Sequence, residues 1–168
     1  MNTNRNILVA IDDSEASDRA VTYVAHMVGG MKEAKIVLFH VPASMPPRLL
    51  EFGGTEDPAN EQKAEARLSA ARAAWVEEME RAAQPIFARA KTRFSEAHVA
   101  NEAIVTQVFV PPGEQSLDTS IVEAARVHGC RTVVVGREAF SWVRELFQAH
   151  VADKLLEQAD GLTLWIVL

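Results

Sequence analysis

Ile7-Leu8-Val9-Ala10-Ile11, followed at once by Asp12-Asp13-Ser14, is the stretch on which the fold turns. Five apolar residues on consecutive positions leave no polar face, which suits a strand covered on both sides, as in a parallel sheet. The three residues after it are of the types that cap helices. Ala20, Val24 and Met27 then recur at helical spacing until Gly29-Gly30 stops the pattern. Strand, short turn, helix is the opening unit of an alternating α/β chain.

Working outward, four more runs rich in β-branched or aromatic residues read as strands: Ile36–Val41, Ala103–Val110, Thr132–Val135 and Leu162–Val167. Residues 43–57, with Pro46, Pro47 and Gly53-Gly54, read as a long, exposed, mobile loop. Asp57-Pro58 reads as an N-cap with proline at the first helical position. A helix then runs to about Phe94, with Leu68, Trp75, Met79, Ile86, Ala90 and Phe94 forming a stripe expected to pack in the core. Pro85 is expected to kink or divide it, for want of an amide donor. Pro111-Pro112-Gly113 ends the third strand; Ile121, Ala124, Ala125 and Val127 mark a helix stopped by His128-Gly129, and a last helix spans Trp142–Gln158.

The order β-α-β-α-β-α-β-α-β, with right-handed crossovers, implies an α/β three-layer sandwich. Its centre is a Rossmann-like, doubly wound five-stranded parallel sheet of order 3-2-1-4-5. The switch point then lies between strands one and four. It brings the Asp12-Asp13-Ser14 loop to face the loop of Gly136-Arg137-Glu138-Ala139.

Composition bounds the rest. With 168 residues and 48% hydrophobic content, one domain over 1–168 is expected. The charge, 17 Lys+Arg against 23 Asp+Glu for a net −6, argues against a nucleic-acid coat or attraction to anionic membrane. One cysteine, Cys130, removes any intramolecular disulfide or multi-Cys zinc site. No segment reaches the roughly 18–20 apolar residues of a membrane span, so a cytoplasmic protein is expected.

The blocks Asn6–Ser14 (NILVAIDDS), Ile36–Val41 (IVLFHV), Gly129–Gly136 (GCRTVVVG) and the closing LTLWIVL resemble, in content and order, the universal stress protein family. The resemblance implies the fold just described, commonly dimeric, in a family divided between ATP-binding members and others. In the ATP-binding members the fourth strand is followed by Gly, two residues, Gly, nine residues, Gly and Ser or Thr. Glycines let backbone amides approach phosphate oxygens, and the hydroxyl adds a donor.

Laid onto this chain, the pattern begins at Gly136, but the later positions hold Ala139, Ala149 and His150. Glu138 places a carboxylate where a triphosphate would repel it, whereas Arg137, Arg144 and a protonated His150 would attract phosphate. The nucleoside end is better kept. Asp12 matches the family carboxylate after strand one, and Val41 the residue after strand two that lines the adenine pocket. Each has a plainer reading: Asp12 as a helix cap, Val41 as strand burial, Gly136 as a buried turn.

The five histidines show no metal-site spacing, and Ser141 is not in a Gly-x-Ser-x-Gly elbow, so neither a metal nor a catalytic triad is assigned. His40 reads as a core or pocket-wall residue, and Cys130 as a small buried side chain, although Arg131 beside it would favour a thiolate. The closing strand is almost wholly apolar yet at a sheet edge, which suits pairing with its copy in a homodimer. Two functions follow. One is a non-enzymatic stress-response homodimer without a cofactor, acting through a protein partner that meets the 43–57 loop and the helix after it. The other is a protein binding ATP or AMP, with slow ATP hydrolysis as its enzymatic variant, through Asp12, Val41 and Gly136, with Arg137, Arg144 and His150 on the phosphates.

Overall fold

The computed structural model describes residues 5–31, 34–42, 45–50, 58–110, 117–136 and 160–168. Its elements run β1 (Ile7–Ala10), α1 (Glu15–Val28), β2 (Ile36–His40), α2 (Pro47–Leu50), α3 (Pro58–Glu96), a 3-10 turn (Asn101–Ala103), β3 (Ile104–Val108), α4 (Leu117–Val127), β4 (Thr132–Gly136) and β5 (Thr163–Val167). The five strands form one parallel sheet of order β3-β2-β1-β4-β5, as the alternation implied. The Trp142–Gln158 helix and the Pro111–Gly113 turn lie outside the described residues.

Why the strand runs are unbroken is visible in where they point. Ile7, Val9 and Ile11 enter a core shared with Val21, Val24, Phe87 and Phe94, whereas Leu8 and Ala10 enter the opposite one with Ile121, Ala124 and Ala125. α1 and α3 therefore cover one face of the sheet and α4 the other. Ser14 caps α1, its hydroxyl accepting from the Ser17 amide at 3.1 Å.

α4 ends in a Schellman turn. Gly129 stands at φ 62°, its amide donates to the Arg126 carbonyl and the Cys130 amide to the Ala125 carbonyl, which delivers Cys130 into the core. α3 ends the same way with His98 at φ 61°, the Val99 amide reaching back to the Phe94 carbonyl.

Several expectations need correction. Pro85 does not divide α3, which runs through it uninterrupted. Pro85 is exposed, so the carbonyl that loses its donor can turn to water. The long apolar stripe is not core throughout: Ala83, Phe87, Ala90 and Phe94 are buried and Ile86 packs against them, but Leu68, Trp75 and Met79 are only half-buried and take no part in that cluster. At about 1.5 Å per residue the 39 residues of α3 span roughly 58 Å, so the helix outruns the sheet it covers.

Met27 is 45% exposed and Val127 82%; Val28 fills the place expected of Met27. The strands also differ slightly from their apolar runs, because Ala103 belongs to the 3-10 turn and Phe109-Val110 follow β3.

Within the expected 43–57 loop, Pro47–Leu50 form a helical turn pinned to α3, the Arg72 guanidinium donating to the carbonyls of Leu49 and Leu50. Residues 43, 44 and 51–57 lie outside the description.

Candidate functional site

The carboxyl ends of the strands bring the described candidates to one edge. Ala10 is paired with Phe39 and Val9 with Val134. Carrying those registers forward sets Asp12 beside Val41 and Gly136 beside Ile11, and the ladder does continue, the Ile11 amide donating to the Phe39 carbonyl at 2.9 Å. Asp12, Val41 and Gly136 thus gather at the switch point between β1 and β4. Arg137, Glu138, Ala139, Arg144, Ala149 and His150 lie outside the described residues.

Asp12 is not itself the cap; it holds the cap. Its Oδ1 accepts from the Ser14 amide at 3.0 Å and the Ser14 hydroxyl at 2.6 Å, while its own amide donates to the Ser17 hydroxyl at 3.0 Å. The turn is therefore preorganised before any ligand arrives. Burial pushes the Asp12 carboxyl above its usual 3.8, against the opposing effect of the two Ser14 bonds and of His40. Because the folded value is raised, the protonated carboxyl is favoured in the fold, and that contribution is lost as pH rises from 3.8 through the folded value. The Asp12 contribution to urea stability should fall across that acidic window, and Asp12→Asn should remove this component of the slope. Parallel curves for the two proteins would contradict the assignment.

Gly136 has a structural reason for its identity. A Cβ there would lie 2.2 Å from the Ala16 carbonyl oxygen and 2.5 Å from its carbon, so the first turn of α1 rests directly on the end of β4. Val41 is half-buried against the α4-side core with Phe109, a residue the sequence reading passed over. Phe109 stacks on Phe39 with ring centroids 5.7 Å apart, and its amide donates to the His40 carbonyl. An aromatic immediately after a β-branched run was the available signal.

His40 points to the other face, buried and edge-on to Phe87. Its Nδ1 lies 2.8 Å from the Ile11 carbonyl oxygen, so this nitrogen carries the proton and donates. It is a satisfied core residue that ties the ends of β1 and β2 together. Arg89 of α3 also braces the turn, with ion pairs to Asp13 at 2.8 Å and to Asp18 at 2.9 Å. No local pattern could have announced a partner 76 residues away. Both pairs are partly solvated, so each is worth under about 1 kcal/mol.

Cys130 is buried and its thiol is pushed up to about 11 by that burial, with Lys35 opposing, so the neighbouring Arg131 does not make it a thiolate. Among the described residues no three His, Cys, Asp or Glu side chains converge as metal ligands, and no helix is long and apolar enough to cross a membrane. Among the described residues the edge offers a carboxylate acceptor, backbone groups after β2 and an apolar wall.

Comparison with known proteins places this geometry in context. The model of the universal stress protein family matches residues 3–164. A universal stress protein family member from Burkholderia pseudomallei superposes with a TM-score of 0.58 at 20% identity, covering 99% of this chain and 98% of that one. A universal stress protein solved with cAMP gives 0.57 at 16% identity over 98% and 96% of the two chains. One from Archaeoglobus fulgidus, solved with dAMP, gives 0.56 at 14% identity over the whole of both. No curated protein matches the chain in sequence.

Proposed function

The chain belongs to the universal stress protein family, and from that premise we propose a non-enzymatic, cytoplasmic stress-response homodimer whose ATP site is degenerate at its phosphate end. The observation that carries this reading is Gly136. It is the one residue of the four-position phosphate pattern that this chain retains, and the space beside it is filled by the Ala16 backbone. Its glycine therefore serves helix packing, while Ala139, Ala149 and His150 remove the other two glycines and the hydroxyl.

The dimer is assigned to β5. Among the described residues it pairs only with β4, Ile166 and Leu168 are exposed beside it, and Trp165 is half-covered, meeting Tyr23 edge-on. A symmetric copy of the strand would satisfy both the open backbone groups and these side chains.

A second reading has its own support. Asp12 and Val41 keep the nucleoside end, and two relatives of the same fold were solved with cAMP and dAMP, ligands that carry a single phosphate. A nucleoside monophosphate needs little of the missing cradle, and Arg137, Arg144 and His150 are the candidates for its one phosphate.

Calorimetric titration with ATP, ADP and AMP, with and without Mg²⁺, decides between them. Under the first reading all three bind no better than millimolar, a standard free energy of about −4 kcal/mol. Micromolar AMP binding with no gain for ATP would establish the second reading. Micromolar ATP binding that Asp12→Ala abolishes would refute the degenerate site.

A further inference from the structure

We propose that the outer half of α3 is a self-association surface, on which a second copy of this chain lays the same half of its own α3 antiparallel. Beyond the sheet, α2 and α3 form the walls of a groove of about 630 Å³. α3 lines it with Arg67, Leu68, Ala71, Ala74, Trp75 and Glu78. The steps from 67 to 71, 74 and 78 are four, three and four residues, which sets these side chains in one row along the helix. Arg67, Ala71, Ala74 and Glu78 are exposed, and Leu68 and Trp75 half-buried. The other wall is fixed, because Arg72 spends its guanidinium on the carbonyls of Leu49 and Leu50 and so holds α2 in place.

The row is self-complementary. It carries a cation at one end, an anion about 16 Å away at the other, and small side chains between. Neither Arg67 nor Glu78 has an ion-pair partner among the described residues. Turning a second copy end for end puts Arg67 opposite Glu78 twice, and the same alignment puts Ala71 opposite Ala74 twice at the centre. Alanines there permit a close crossing of the helix axes, and each Trp75 falls on the alanines of the other copy. Arg48 of α2, also on the groove, adds a second cation for the arriving Glu77 and Glu78.

An acidic partner of another kind would answer Arg48 and Arg67 but leave Glu78 facing its carboxylates. A basic one would have the opposite fault. The occupant that answers both ends carries the same row reversed, which is what a two-fold axis supplies. This surface is separate from β5, so the two contacts together would link dimers into larger closed or open assemblies.

Sedimentation velocity over roughly 1–200 µM tests this, since a single helix pair is a small interface of micromolar strength. Wild type should show a concentration-dependent step. Arg67→Glu and Glu78→Arg each set like charges face to face twice and should weaken that step at least about tenfold. The double variant R67E/E78R should restore it. Mixing the two single variants should restore it too, because one chain then carries carboxylates at both positions and the other guanidiniums at both.

Circular dichroism of each variant should be unchanged, as both residues are exposed. No association in wild type, no effect of either substitution, or no rescue would overturn the proposal. So would a Glu/Leu helical peptide that binds the monomeric wild type and is lost in Arg67→Glu, which would assign the groove to a foreign acidic partner.

Discussion

Gly136→Ala is expected to destabilise the protein by about 3 kcal/mol, as overpacking does where neither neighbour can yield. The added methyl would meet the Ala16 carbonyl at 2.2 Å, and both partners are backbone. Relief requires α1 to lift from the end of β4, but α1 is pinned there by buried Val21, Val24 and Val28 and by the Asp12–Ser14–Ser17 bonds. Urea denaturation monitored by fluorescence measures the loss directly. A variant of unchanged midpoint would mean that α1 moves away freely, and that the glycine is kept for something other than packing. The result bears on function, since a glycine needed only for an incoming phosphate would leave the unliganded protein unaffected by the methyl.

The second large effect separates the two halves of α3. Phe94→Ala removes a side chain with no exposed surface from the core between α1 and β2, and should cost about 3–5 kcal/mol. Trp75→Ala, on the same helix but beyond the sheet, should cost under about 1.5 kcal/mol, because a half-buried ring loses only part of its transfer energy. Both are read from the same denaturation curves at concentrations low enough to keep the chain monomeric. Equal losses would show that the packed core climbs the whole helix.

The strands and their order were legible because a parallel sheet buried on both faces demands unbroken apolar runs, and Ile7–Ile11 and Ile36–Val41 have nearly no other use. α3 was less so. Periodicity marks a face as apolar but not how far the layer beneath it extends, so Leu68 and Phe94 look alike in the sequence and differ in burial.

At the strand ends, the meeting of Asp12, Val41 and Gly136 was legible, but the local contacts each of them makes were not. The letter at Gly136 does not say that the first turn of α1 rests on it; only the position of Ala16 does. Likewise Asp12 read as a cap or a ligand group, whereas it holds Ser14, which is the cap. Arg89 left no trace at all, its partners being set by tertiary folding.

The turn that ends α4 has one more consequence. By folding Cys130 under Ala125 and raising its thiol to about 11, it keeps the chain's single sulfhydryl silent toward oxidants and alkylating reagents while the domain is closed. Opening exposes it and returns it to ordinary reactivity. The rate at which a thiol probe attaches to Cys130 is therefore a clock for how often this molecule unfolds, carried in its native sequence without any label.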